Sequence, residues 1–206
     1  ADGPVRTQIL GDVNIPKEEQ AKRVKDFMNW QIMDQMKEYE PEFDSMLFHL
    51  PLAGSTFKKV YYDTNMGRVV SKFVPADELV VPYTATSLDD AESVIHTVKI
   101  SENELRKQQV SGFYRDVELG PPGNVTNNEL EKKERELEGT KRSGKQEPVY
   151  TLLECHVNLD LEGFEEVGQD GQPTGIKLPY IVTVEEGSRV VLSIRRNYAP
   201  NDLKKN

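Results

Sequence analysis

The stretch VYTLLECHVNLDL, Val149 to Leu161, decides the fold. Val149, Thr151, Leu153, Cys155, Val157, Leu159 and Leu161 fall at every second position. Tyr150, Leu152, Glu154, His156, Asn158 and Asp160 fill the gaps. A helix, with its 3.6-residue turn, would mix the two sets. A strand keeps them on opposite faces. The first set is the more apolar, so it is expected to line the buried face. Downstream, Ile176, Leu178, Tyr180, Val182 and Val184 alternate in the same way. Glu186-Gly187 reads as a turn into a further strand, Arg189 to Arg196. Residues 148–206 are therefore expected to form an antiparallel β meander with one buried face.

Upstream of this meander the pattern changes. Residues 124–147 are rich in balanced charge, and Glu131 to Glu138 contains only one apolar residue, Leu137. Thr126 and Glu129 carry helix-capping spacing, and the segment reads as a charged surface excursion or linker. Between 51 and 123 the reading is mixed and β-rich. Thr56 to Asp63 and Arg68 to Val74 form an expected hairpin across a turn-prone loop. Leu79 to Tyr83, Val94 to Ile100 and Phe113 to Leu119 are further expected strands. Ser101 and Glu104 have the spacing of a capping box, opening a short helix that Gly112 stops.

The first fifty residues read as helical. Pro16 suits a first turn, and Ala21, Val24, Phe27, Met28, Ile32 and Met36 recur at three- and four-residue steps through residue 38. A second helix is expected from Glu42 to Leu50, bounded by Pro41 and Pro51. The fold class is thus α+β, with N-terminal helices followed by predominantly antiparallel β-sheet. The expected divisions are 1–50 helical, 51–123 mixed, 124–147 charged excursion, and 148–206 meander.

Composition narrows the function classes. The chain has 206 residues and a net charge of −9, with its 26 basic residues scattered. Tight gripping of nucleic acid through phosphate neutralisation is disfavoured, because that needs a basic patch or stripe. The lone Cys155 excludes an internal disulfide. No apolar run approaches the roughly 18 residues that a bilayer crossing needs. Ala-Asp-Gly-Pro at the start and Asp202-Leu-Lys-Lys-Asn206 at the end read as cuts, as in an excised domain.

Motifs for chemistry are sparse. Ser55-Thr-Phe-Lys58 has Ser-x-x-Lys spacing, which on a helix sets an amine beside a hydroxyl. Here it runs into an expected strand, where the two point to opposite faces. Of the three histidines, His49, His96 and His156, none has metal-ligand spacing. His96 shares a strand face with Val94, Val98 and Ile100, which suits a satisfied, partly buried ring. Glu154, His156 and Asp160 share a polar strand face and form a weak potential ligand set. Cys155 falls on the apolar face, as a buried structural thiol would. Asn124-Val-Thr126 fits a glycosylation pattern, without a secretion signal to give it meaning. The acidic pairs Asp89-Asp90, Glu165-Glu166 and Glu185-Glu186 read as solvated turns. Phosphate-loop, dinucleotide-fingerprint and nucleophile-elbow motifs are absent. No catalytic, cofactor or metal residue is assigned, and no cofactor is expected.

Five stretches, in order, resemble portal proteins of short-tailed, double-stranded DNA bacteriophages. They are HLPLAGSTFKKVYYD (His49 to Asp63), FVPADELVVPY (Phe73 to Tyr83), LRKQQVSGFY (Leu105 to Tyr114), LLECHVNLDLEG (Leu152 to Gly163) and LPYIVTVEEGSRVVLSIRRNYAPND (Leu178 to Asp202). The similarity runs from about Glu38 to the end, interrupted in 124–147. It implies a fragment of the wing or body region of a larger subunit that assembles into a dodecameric ring at one capsid vertex. The implied partners are other portal subunits, terminase, coat, scaffold and tail adaptor proteins. Double-stranded DNA would pass through the ring without sequence-specific binding, and no membrane is involved. The implied location is the virion, with assembly in the host bacterial cytoplasm. The resemblance brings no catalytic residue. Within its first stretch, Pro51 and Gly54 would shape the approach to a strand on which Phe57, Val60, Tyr61 and Tyr62 pack.

Two other classes compete with this reading. A Ser-Lys or metal-dependent hydrolase requires the Ser55 and Lys58 side chains to meet, or a metal set to assemble. A β-rich module for small molecules or glycans, within a phage structural protein, requires an aromatic-lined pocket. Trp30, the one tryptophan, sits in an expected helix, where it suits packing better than sugar stacking.

Overall fold

A computed structural model describes residues 3–63, 66–88, 91–122, 148–168 and 170–197. The chain divides into two units, Ala1–Asp77 and Glu78–Asn206.

In the first unit, α1 spans Ile15–Trp30. Asn14 caps it, its side chain accepting the Lys17 N–H at 3.0 Å, and Pro16 lies in the first turn. The helix does not run on to residue 38 as its periodicity suggests. It passes into one π turn, Gln31–Gln35, closed by the Met36 N–H on Gln31 O at 2.9 Å. Met36 then leaves helical geometry and is buried. It is the only residue of the expected apolar stripe to reach the core. No residue of α1 is buried, and Phe27 is 58% exposed.

The second helix is longer than expected at both ends. Helix α2 runs Tyr39–Ala53, with Pro41 inside its first turn and Pro51 inside its last. Proline 51 forfeits one backbone hydrogen bond without ending the helix. Gly54 ends it instead, with φ +77° and its N–H on Leu50 O. Strands β1 (Thr56–Asp63) and β2 (Arg68–Pro75) then pair antiparallel in continuous register from Thr56↔Pro75 to Asp63↔Arg68. The expected hairpin is therefore observed. Val70, Ser71 and Val74 of β2 are buried, and α2 packs against the hairpin. Of the residues expected to pack on β1, Phe57 and Tyr61 are half-buried, whereas Val60 and Tyr62 stand exposed.

The second unit is a five-stranded antiparallel sheet ordered β3-β4-β5-β6-β7. The strands are Leu79–Val80, Ser93–Ser101, Val149–Leu159, Leu178–Glu185 and Val191–Arg196. The strand expected at 79–83 shrinks to two residues. Helix α3 (Glu102–Val110) follows β4, its Ser101 Oγ accepting the Glu104 N–H at 3.3 Å, and Gly112 turns the chain at φ +76°. The strand expected at 113–119 is absent. Residues 113–120 instead form a backbone strap over the sheet, tied by Arg115 N to Leu192 O, by Gln109 Nε2 to Arg115 O and Val117 O, and by Tyr150 Oη to Gly120 O.

This strap and α3 place the core on the face opposite to the expected one. Leu105, Tyr150, Leu152 and Leu192 form it, with Val98, Ile100, Tyr114, Val117 and Leu119 packed around them. The set containing Leu153, Cys155 and Val157 is only half-buried, although Tyr180 and Val182 on that same face are nearly covered. Both faces are thus partly sheltered. Because β4 pairs with β5 along nine residues, the sheet bridges the segment between them, and the boundary expected at 147/148 falls inside one unit. The boundary expected at 50/51 falls inside α2. The expected features at 124–147, including the Asn124 pattern, lie outside the described residues, as does the Asp89-Asp90 pair.

Candidate functional site

The strand register gathers polar side chains into one row on the core-bearing face. His96 opposes Glu154, Glu154 opposes Thr183, and Thr183 opposes Ser193. His156, two residues along β5, sets its Nε2 2.9 Å from Glu154 Oε1. The strap covers this row with Tyr114, whose side chain hydrogen-bonds Thr183. Burial pushes the Tyr114 phenol up to about 12, the Glu154 charge adds to the rise, and Arg195 and the Thr183 bond oppose it.

An imidazole on a carboxylate is half of a general-base arrangement. The groups beside it do not complete one. Tyr114 stays protonated at neutral pH, and Thr183 is 3% exposed. Among the described residues, no three His, Cys, Asp or Glu side chains converge to hold a metal. The structure brings Glu154 and His156 together, while Asp160 lies past the end of β5.

The other expected chemistry separates as well. Lys58 Nζ sits 4.0 Å from the centre of the Tyr39 ring and 5.1 Å from that of Phe43, with no hydrogen-bond partner among the described residues. The Ser55–Lys58 pair required for a hydrolase therefore does not form. Removal from water pushes the Lys58 amine down, against the pull of Glu42. Cys155 is half-buried on the opposite face from Glu154 and His156, and burial first, then Glu154, raises its thiol pKa. His49 packs its ring 4.8 Å from Phe73. Trp30 is 45% exposed and tilted against Phe27 at 5.7 Å, at the end of α1.

Sequence reasoning missed Tyr114, Thr183 and Arg195. Their association is made by cross-strand register and by the strap, and no short spacing in the sequence signals it. Neither a family model nor a curated protein matches the chain. Among the described residues, no helix is long and apolar enough to cross a membrane.

Proposed function

We propose that the chain is a scaffold segment of a bacteriophage portal subunit, part of the ring through which double-stranded DNA is packaged and ejected. In this reading the ring, and not this segment alone, meets terminase, coat, scaffold and tail adaptor proteins. The carrying observation is the five ordered stretches of resemblance, together with what those stretches are in the fold.

His49 to Asp63 comprises the end of α2, the Gly54 cap and β1. Phe73 to Tyr83 takes in the end of β2 and all of β3. Leu105 to Tyr114 is most of α3, its glycine stop and the start of the strap. Leu152 to Gly163 holds most of β5, and Leu178 to Asp202 holds β6 and β7. Every stretch is a framework element. A shared scaffold leaves that kind of similarity, whereas a shared active site leaves it in a few loops. The net charge of −9 agrees with a conduit that does not hold its polyanionic cargo.

The test is to express the full reading frame containing this segment and image it by negative-stain electron microscopy. Rings with a central channel are expected. Uniform particles without a ring, at concentrations where portals assemble, would overturn the reading and leave a β-rich binding module in its place.

A further inference from the structure

In the second unit Arg106 pairs with the carboxylate of Asp116. Arg115 and Arg195 are in no ion pair among the described residues. Both are nonetheless held in place. Arg195 Nη2 donates to Phe113 O at 2.7 Å, and its guanidinium lies 3.5 Å from the centre of the Phe113 ring. Arg115 donates its backbone N–H to Leu192 O at 2.8 Å and its Nη1 to Val191 O at 3.3 Å. A guanidinium has five N–H donors. Each of these uses one, so most of the fork is unused, on a side chain already fixed.

The two side chains flank a cleft of about 470 Å³ between residues 112–115 and strand β7. Its wall is a sheet edge. Asn197 N donates to Pro179 O, so the pairs two and four residues back, Arg195↔Ile181 and Ser193↔Thr183, are the hydrogen-bonded ones. Ile194 between them turns its N–H and C=O away from β6. At Leu192 the strap takes the outward carbonyl, and at Ile194 none of the described residues does. The Ile194 side chain is 50% exposed.

We propose that this cleft docks an extended, acidic peptide segment of a partner protein. The segment's backbone bonds the open edge at Ile194, and its carboxylates take the unused N–H groups of Arg115 and Arg195. Strand addition to a sheet edge supplies affinity through the backbone, and flanking side chains supply selectivity. Planar guanidinium forks match carboxylates bidentately. A nucleic-acid duplex fits less well, because its affinity comes from many phosphate contacts, and this cleft offers two guanidinium groups, Arg115 and Arg195. The docking site does not depend on the portal reading.

The test titrates the whole chain, followed by amide and arginine side-chain NMR, with a short synthetic peptide of alternating Glu and Val. Its Lys/Val counterpart, inorganic phosphate and a short DNA duplex are the comparison probes. Saturable shifts confined to residues 112–116 and 191–196 are expected with the acidic peptide alone. They should weaken as salt rises. Arg195→Gln and Arg115→Gln should each weaken binding about tenfold, with Arg195→Lys intermediate. The salt series on the unaltered chain decides the matter even if a variant unfolds. Equal binding of the Lys/Val peptide, no saturation, shifts elsewhere, or tighter binding of phosphate or duplex at the same residues would each overturn the proposal.

Discussion

Arg68 grips the Glu38 carboxylate with both terminal nitrogens, Nη1 to Oε1 at 2.6 Å and Nη2 to Oε2 at 2.8 Å. Glu38 precedes α2 and Arg68 opens β2, so the pair ties helix to hairpin. Four residues on, Glu42 Oε2 accepts the Phe73 N–H at 2.7 Å, closing part of the outer β2 edge with a carboxylate. The Arg68 hydrogen bonds, outweighing partial burial, hold the Glu38 carboxyl below its ordinary 4.5. A carboxyl lowered on folding stabilises fully above its unfolded value and loses that contribution as pH falls through the folded one. Glu38→Gln should therefore be less stable than the unaltered chain at neutral pH. The gap should close as pH drops below about 4.5. Urea midpoints across that range measure it, and a gap that stays constant with pH would contradict the assignment.

Leu152 is 1% exposed in the core under α3, whereas its neighbour Leu153 is half-buried on the other face. Leu152→Ala should cost about 2–5 kcal/mol, the range for truncating a fully buried leucine. Leu153→Ala should cost clearly less. Denaturant unfolding of the two variants separates them, and the reverse order would place the core on the face that apolar count alone selects.

That pair marks how far the sequence could be read. Alternation from Val149 to Leu161 correctly announces a strand, and the hairpin, the Ser101 cap and the Gly112 stop are equally local and equally legible. Which face of β5 is buried is not local. It depends on Tyr150, Leu105 and a strap whose residues 113–119 look like a strand but bond sideways to Gln109 and Leu192, with Gly120 next to them accepting from Tyr150. Tyr150 counts as half polar in a tally of faces, yet its ring fills the core while its hydroxyl donates to Gly120 O at 2.9 Å. The polar row His96–Glu154–Thr183 was invisible for the same reason, since register, and not spacing, assembles it. Only its Glu154–His156 step, two residues apart on one strand, could be seen in the sequence.

Gly112 adopts φ +76°, and a methyl group added there would meet nothing within 4 Å. Gly112→Ala should then suffer only the left-handed backbone penalty, about 1–2 kcal/mol. Gly112→Asn should lose less, because asparagine tolerates that region. Thermal or urea unfolding of both variants checks the order. A loss well above that range would point to a steric role that the open space denies.

Cys155 is half-buried, and its thiol pKa is raised by burial first and by Glu154 second. Thiolate is the reacting species, so the folded chain should be slow towards a disulfide reagent at mildly alkaline pH. Unfolding in urea should raise the rate by about tenfold or more, as access and thiolate fraction both recover. Equal rates in the folded and unfolded states would show that the sheet face around Cys155 is open.

Tyr114 is the most shifted phenol described, pushed to about 12 by its burial against the sheet and by the charge of Glu154. A phenol raised on folding favours the protonated native state. Its contribution is complete below the unfolded value of 10.0 and is lost as pH climbs from there towards about 12. Phenolate absorbance should thus show a late step among the eight tyrosines, and Tyr114→Phe should remove it. The same variant should flatten the fall in stability between pH 10.0 and about 12. Glu154→Gln offers a cross-check. Removing the charge should bring the late step down while leaving the burial effect, so the step moves without vanishing. Tyr150, also raised by burial, should remain shifted in both variants. A late step untouched by Tyr114→Phe would assign it to Tyr150 and mean that the strap does not seal the row beneath it.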